Sequence, residues 1–164
     1  MARRSRGMKV SHYLIALTAL CVAVGYIDAL ASFYVRGMYQ VTVEGGEFAQ
    51  AVVQEMPPRI VSLELTRQAA FIVALLAAGV IAGRNNMQQV GTFTYSLGGW
   101  IIFRYVSIRT LTDWPASLSD LDAVLFLPEP VYAPVWMALI IAGALTTSGV
   151  LLIRAGAVAM RRSK

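Results

Sequence analysis

IVSLELTRQAAFIVALLAAGVIAGRNNMQQVGTFTYSLGGWIIFRYVS, residues Ile60–Ser107, decides the fold. It holds two apolar stretches joined by Arg84-Asn85-Asn86-Met87-Gln88-Gln89. Each stretch approaches the roughly 20 residues that cross a hydrocarbon core about 30 Å thick. In lipid, an isolated segment of that length satisfies its backbone only as a helix. The short polar join then folds the pair into a tight antiparallel hairpin.

Working outward, the chain repeats the pattern on both sides. Apolar stretches run from about Ser11 to Tyr34 and from about Val131 to Ile153. The sequence therefore predicts an all-α membrane protein, a bundle of four transmembrane helices over 11–34, 60–83, 90–107 and 131–153. Residues 1–164 form one integral membrane domain. A β-barrel would need shorter alternating strands, and none are visible.

The charges sort between the gaps. Arg3, Arg4, Arg6 and Lys9 precede the first stretch, Arg84 joins the second and third, and Arg154, Arg161, Arg162 and Lys164 close the fourth. These segments carry no acid. The other gaps hold Glu44, Glu47 and Glu55, then Asp113, Asp120, Asp122 and Glu129, and their only bases, Arg36, Arg59 and Arg109, lie close to the end of a stretch. Basic loops on alternating sides are the positive-inside signature. Both termini are expected in the cytoplasm, the acidic loops outside, and the chain in a bacterial cytoplasmic (inner) membrane.

Composition agrees. Hydrophobic residues make up 57% of the chain and charged residues 14%, against about a quarter charged in soluble domains. The formal charge of +5 sits beside the spans, where anionic lipid attracts it. Membrane lipid is therefore an expected partner and nucleic acid is not.

Few residues offer cofactor or catalytic chemistry. Cys21 is the only cysteine, so no disulfide, CxxC zinc ribbon or CxxCH haem site can form within the chain. His12 is the only histidine; it reads as a solvated interfacial residue, or as half of a haem site shared with another chain. Zinc lacks ligands and a Ser-His-Asp triad has no motif to assemble it. No GxxxxGK[ST] or GxGxxG occurs. No cofactor, no metal and no catalytic residue is expected. Ala29-Leu30-Ala31 before Ser32 resembles a cleavage site, but the apolar run before it exceeds a signal-peptide core of about 7–15 residues. The first stretch is read as a retained span.

Short surface helices are expected in both outer loops. In the first, Gln40–Val43 reads as extended, and Glu47–Met56 as a helix with Phe48, Val52 and Met56 on one face, stopped by Pro57-Pro58. In the second, Trp114-Pro115 starts a turn. Ser117 and Ser119 lie three residues before Asp120 and Asp122, a spacing that suits a helix N-terminus. Ala123–Leu127 then reads as a helix ended by Pro128-Glu129-Pro130. Trp114, Tyr132 and Trp136 are expected at headgroup depth, with Arg36 as a further interfacial anchor.

Asp28, Glu64, Arg67 and Arg104 fall inside or near the spans. Counted along the helices at about 1.5 Å per residue, all lie in the outer third of the membrane. Their stripes continue through small residues: Gly25, Cys21 and Thr18 from Asp28; Ala74, Ala78 and Ala82 beyond Phe71; Gly98, Thr94 and Gly91 beyond Ile101. Small stripes are where membrane helices approach closely, so these charges are expected to face inward and to pair. The cluster is either a set of buried ion pairs fixing helix order or a binding site open to the outer side. Gly79 and Gly83 form a GxxxG step. Thr146, Thr147 and Ser148 read as packing residues, and Pro134 as a first-turn proline.

Trp100, Phe103 and Tyr105, then Trp114-Pro115-x-Ser117-Leu118, Leu125-Phe126-Leu127-Pro128-x-Pro130 and Pro134-Val135 form a pattern, with Glu64-x-x-Arg67 before it. The pattern resembles a group of small bacterial four-helix integral membrane proteins with no assigned activity. In that group an acid often follows the tryptophan; here the position is Ile101, and Arg104 stands where an aromatic is expected. The resemblance implies topology alone.

The leading expectation for function is a non-catalytic accessory or structural subunit of a larger membrane complex, partnered by other membrane subunits or by copies of itself. The alternatives are a small transporter or binding protein using the charge cluster, and a membrane enzyme acting on a lipid or quinone.

Overall fold

The structure is a computed structural model that describes residues 10–39, 58–126 and 130–162. Its long elements are α1 (Val10–Tyr39), α2 (Pro58–Ala82), α3 (Asn86–Thr112) and α4 (Val135–Arg162). A two-stranded antiparallel hairpin, β1 (Leu121–Phe126) and β2 (Pro130–Pro134), separates α3 from α4. Three helices, α1, α2 and α4, are long and apolar enough to cross a membrane. α3 is of similar length, 27 residues, and more polar.

The polarity of α3 follows from its position. It packs against each of the other helices, and much of it is buried, including Thr92, Ser96 and Trp100. α1 runs parallel to it: Tyr13 meets Thr92, Thr18 meets Tyr95 and Asp28 meets Trp100. α4 runs antiparallel, Gly149 against Tyr95 and Gly156 against Gln88. α2 also runs antiparallel, Gly79 beside Phe93 and Phe71 against Trp100. The outward faces of α1, α2 and α4 carry Ile15, Val73, Ile81, Ile140 and Leu151, all largely exposed.

Close backbone contact brings the helices together at several glycines, Gly98 and Gly25 among them. A Cβ on Gly98 would collide with the Ala142 carbonyl and Thr146. A Cβ on Gly25 would stand 2.8 Å from the Arg104 amide nitrogen. Gly25 therefore lets α1 lie against α3, and Asp28 follows one turn later. The Gly79/Gly83 step serves the same end, facing Gln89 and Phe93 of α3.

α3 is capped at both ends. Asn85 accepts from the Gln88 amide at 2.9 Å, and Gln88 Oε1 accepts from the Arg84 amide at 3.1 Å. This is close to the reciprocal capping box. At the other end Asp113 takes a left-handed conformation, φ 54°, and donates its amide to the Arg109 carbonyl. Aspartate tolerates that conformation better than most residues.

The hairpin corrects the expected surface helix of the second outer loop. Ser117 and Asp120 do bond to nearby amides, but they build turns: Asp120 Oδ2 accepts from Ala116 and Ser117, and Ser117 Oγ accepts from Ser119. After the turns, Leu121–Phe126 pairs with Pro130–Pro134 in the register Asp122↔Ala133, Leu125↔Val131, with an irregularity between Ala123 and Leu125. Two apolar runs flanking Pro128-Glu129-Pro130 are a hairpin pattern. Prolines at β2's two ends suit an edge strand and deny the helix its amides. The fourth helix thus starts at Val135, and Val131–Pro134, expected as its first turn, is strand. Its first amides are used by the loop: Val135 donates to the Asp120 carbonyl and Trp136 to that of Leu118. The Trp114–Pro115 peptide is cis. The expected features of the first outer loop, Gln40–Val43 and Glu47–Met56, lie outside the described residues.

Candidate functional site

The charges that α1, α2 and α3 carry toward the hairpin end meet in one chain. Glu64 pairs with Arg67 on α2; Arg67 reaches Asp28 on α1. Arg104 Nε on α3 lies 3.1 Å from Asp28 Oδ2, and its Nη1 lies 2.8 Å from Asp122 Oδ2 at the start of the hairpin. Acid and base alternate throughout: Glu64, Arg67, Asp28, Arg104, Asp122. Helices α1, α2 and α3 and the hairpin each contribute.

Neutral donors complete it. Trp100 Nε1 donates to Asp28 Oδ2 at 3.1 Å and Tyr105 OH donates to Asp122 Oδ2 at 2.9 Å. The Arg104 guanidinium stands 5.1 Å from the Tyr105 ring centre, within cation–π range. Asp28, 1% exposed, is the most enclosed member. A carboxylate so buried requires several donors, and it receives Arg67, Arg104 and Trp100. Tyr105 in turn packs with Val135 and Ala138, backed by Trp114 and Leu139.

The expected cluster residues Asp28, Glu64, Arg67 and Arg104 are thus brought together. The stripe below Asp28 holds, with Gly25 and Cys21 buried. The stripe on α2 differs: its buried residues are Glu64, Gln68, Leu75 and Gly79, while Ala74 is exposed. Asp122, Tyr105 and Trp100 were not expected as partners. Asp122 was expected in the first turn of a surface helix, whereas the strand pairing carries it back over Arg104. Of the expected anchors, Trp114 backs Tyr105 of the cluster. Trp136 is exposed and Tyr132 half-buried. Arg36 lies near the end of α1, and its side chain is outside the described residues. Burial pushes the Tyr132 phenol up.

Among the described residues, the opposite end of α3 is polar without ion pairs of this kind. Asn85 Nδ2 donates to the Gly156 carbonyl at 2.9 Å. Thr92 donates to the Gln88 carbonyl, which leaves Tyr13 to donate to Thr92 at 2.6 Å. Midway, Thr18 donates to the Leu14 carbonyl and takes Tyr95 OH at 2.6 Å. Thr146 bonds back to Ala142; Thr147, Ser148 and His12 are exposed.

Among the described residues, no group of three or more His, Cys, Asp or Glu is placed to hold a metal ion. No protein-family model matches the chain, and neither a curated protein nor a solved structure is significantly similar to it.

Proposed function

We propose that this chain crosses a bacterial cytoplasmic membrane four times and serves as a non-catalytic subunit of a larger membrane assembly. α3 counts as the fourth span because it lies alongside α1 and α4 from the hairpin end to the Asn85 end. A slab of lipid that covers those two apolar helices also covers α3. The positive-inside rule then puts Arg84 and both termini in the cytoplasm and the hairpin outside.

The observation that carries the functional reading is the alternating chain itself. Each of its charges is spent on a residue of the same protein, most of them across elements. Charges used in this way hold helices in order, and the exposed apolar faces are left to lipid or to neighbouring subunits. Purification from membranes in mild detergent, followed by native mass spectrometry, tests it. The expected result is a defined complex with other membrane chains or with copies of this one. A stable lone monomer contradicts it.

A second reading is favoured by one observation: two carboxylates, Asp28 and Glu64, are buried within the helices. Intramembrane carboxylates of this kind suit a proton or small cation. Asp28→Asn and Glu64→Gln would then abolish uptake or binding in vesicles, while a subunit role leaves such fluxes unchanged.

A further inference from the structure

A groove of about 660 Å³ opens where the end of α4 meets the start of α3, lined by Met87, Ala155, Val158, Ala159 and Arg162. The α4 residues recur at i, i+3, i+4 and i+7, a single helix face. Ala155 and Arg162 are about 10 Å apart along the axis. The wall is therefore apolar for two turns and ends in a guanidinium.

The described charged side chains around it have one sign. Arg84, Arg154 and Arg161 are exposed at the same end. Among the described residues, no acid occurs from Leu65 to Thr112 or from Val135 to Arg162. Met87 belongs to the first turn of α3, so the positive end of that helix dipole lies beside the groove. An open apolar wall and a basic rim match an amphiphile with an anionic head. A soluble anion would use the rim and leave the apolar wall in water, forfeiting the burial that the wall provides.

We propose that this groove binds an anionic phospholipid, its acyl chain against Met87, Ala155, Val158 and Ala159, and its phosphate on Arg162. The inference rests on the membrane reading of the helices and is independent of the subunit role. Membrane fractionation of the expressed chain checks that premise separately.

The test is lipid retention in native mass spectrometry of the full chain, with phosphatidylglycerol compared with phosphatidylcholine. The unaltered protein should retain phosphatidylglycerol preferentially. Arg162→Gln should cut that retention about fivefold, the size of one basic contact to an anionic membrane lipid. Ala159→Leu, which fills the slot and keeps every charge, should do the same. Arg161→Gln removes an equal charge at equal height about 100° around the helix and should have less than half that effect. Millimolar inorganic phosphate should not displace the lipid. Equal losses in the two arginine variants, full retention in Ala159→Leu, or displacement by phosphate would each overturn the proposal.

Discussion

The two ends of α3 are both polar and both covered, yet they are held by opposite means. At the hairpin end, guanidinium and carboxylate groups from α1, α2, α3 and the hairpin alternate. At the other end, Asn85, Gln88, Thr92 and Tyr13 use neutral hydrogen bonds. The difference lies in what failure costs. A neutral bond contributes about 0.5–1.5 kcal/mol net. A buried ion that loses its partner costs about 3–5 kcal/mol. The charged end therefore does little for total stability when intact, and strongly penalises any arrangement that separates its members.

The largest effect should come from breaking the charged end at its centre. Asp28→Ala leaves Arg67, Arg104 and Trp100 without the carboxylate they share. It should lower unfolding free energy in detergent by about 3–5 kcal/mol. Next is the close contact between α3 and α4. Gly98→Ala forces a methyl into the Ala142 carbonyl and should cost about 1–3 kcal/mol. Breaking the neutral end should cost less. Asn85→Ala removes the cap and the bond to Gly156, about 1 kcal/mol in all. Gly143→Ala is the counterpart that sharpens the scale. A Cβ there meets nothing within 4 Å, so the unfolding midpoint should hold or rise slightly.

Topology gives the comparison a direction. Asn86 and Ser119 are exposed at opposite ends, and Cys21 is buried, so single cysteines can be read without background. A membrane-impermeant maleimide should label Ser119→Cys in intact cells, and Asn86→Cys only after permeabilisation. The reverse pattern would turn the molecule over.

Legibility differed along the same axis. Helices α1, α2 and α4 were readable because apolar length decides a helix in lipid. The inward charges were readable because Asp28, Glu64, Arg67 and Arg104 have no other outlet there. Asp122 was not, since its role depends on a strand pairing between residues on either side of Pro128-Glu129. Leu125-Phe126 and Val131-Tyr132 around Pro128-Glu129-Pro130 carried that signal, but a short apolar run after Ser117 and Asp120 fits a capped helix equally well. The neutral end was read as a polar join, although Asn85-x-x-Gln88 is a helix-start pattern; Gly156 as the partner of Asn85 follows only from packing. The polarity of α3 reflects its central place, which no count along the sequence contains.

Whether the charged chain acts as a clasp between helices is tested most directly by a double-mutant cycle on Asp28 and Arg104, using Asp28→Leu, Arg104→Leu and the pair. A clasp predicts a coupling of about 2 kcal/mol or more, with the double variant less damaged than the two single losses would sum to. Additive losses would contradict it.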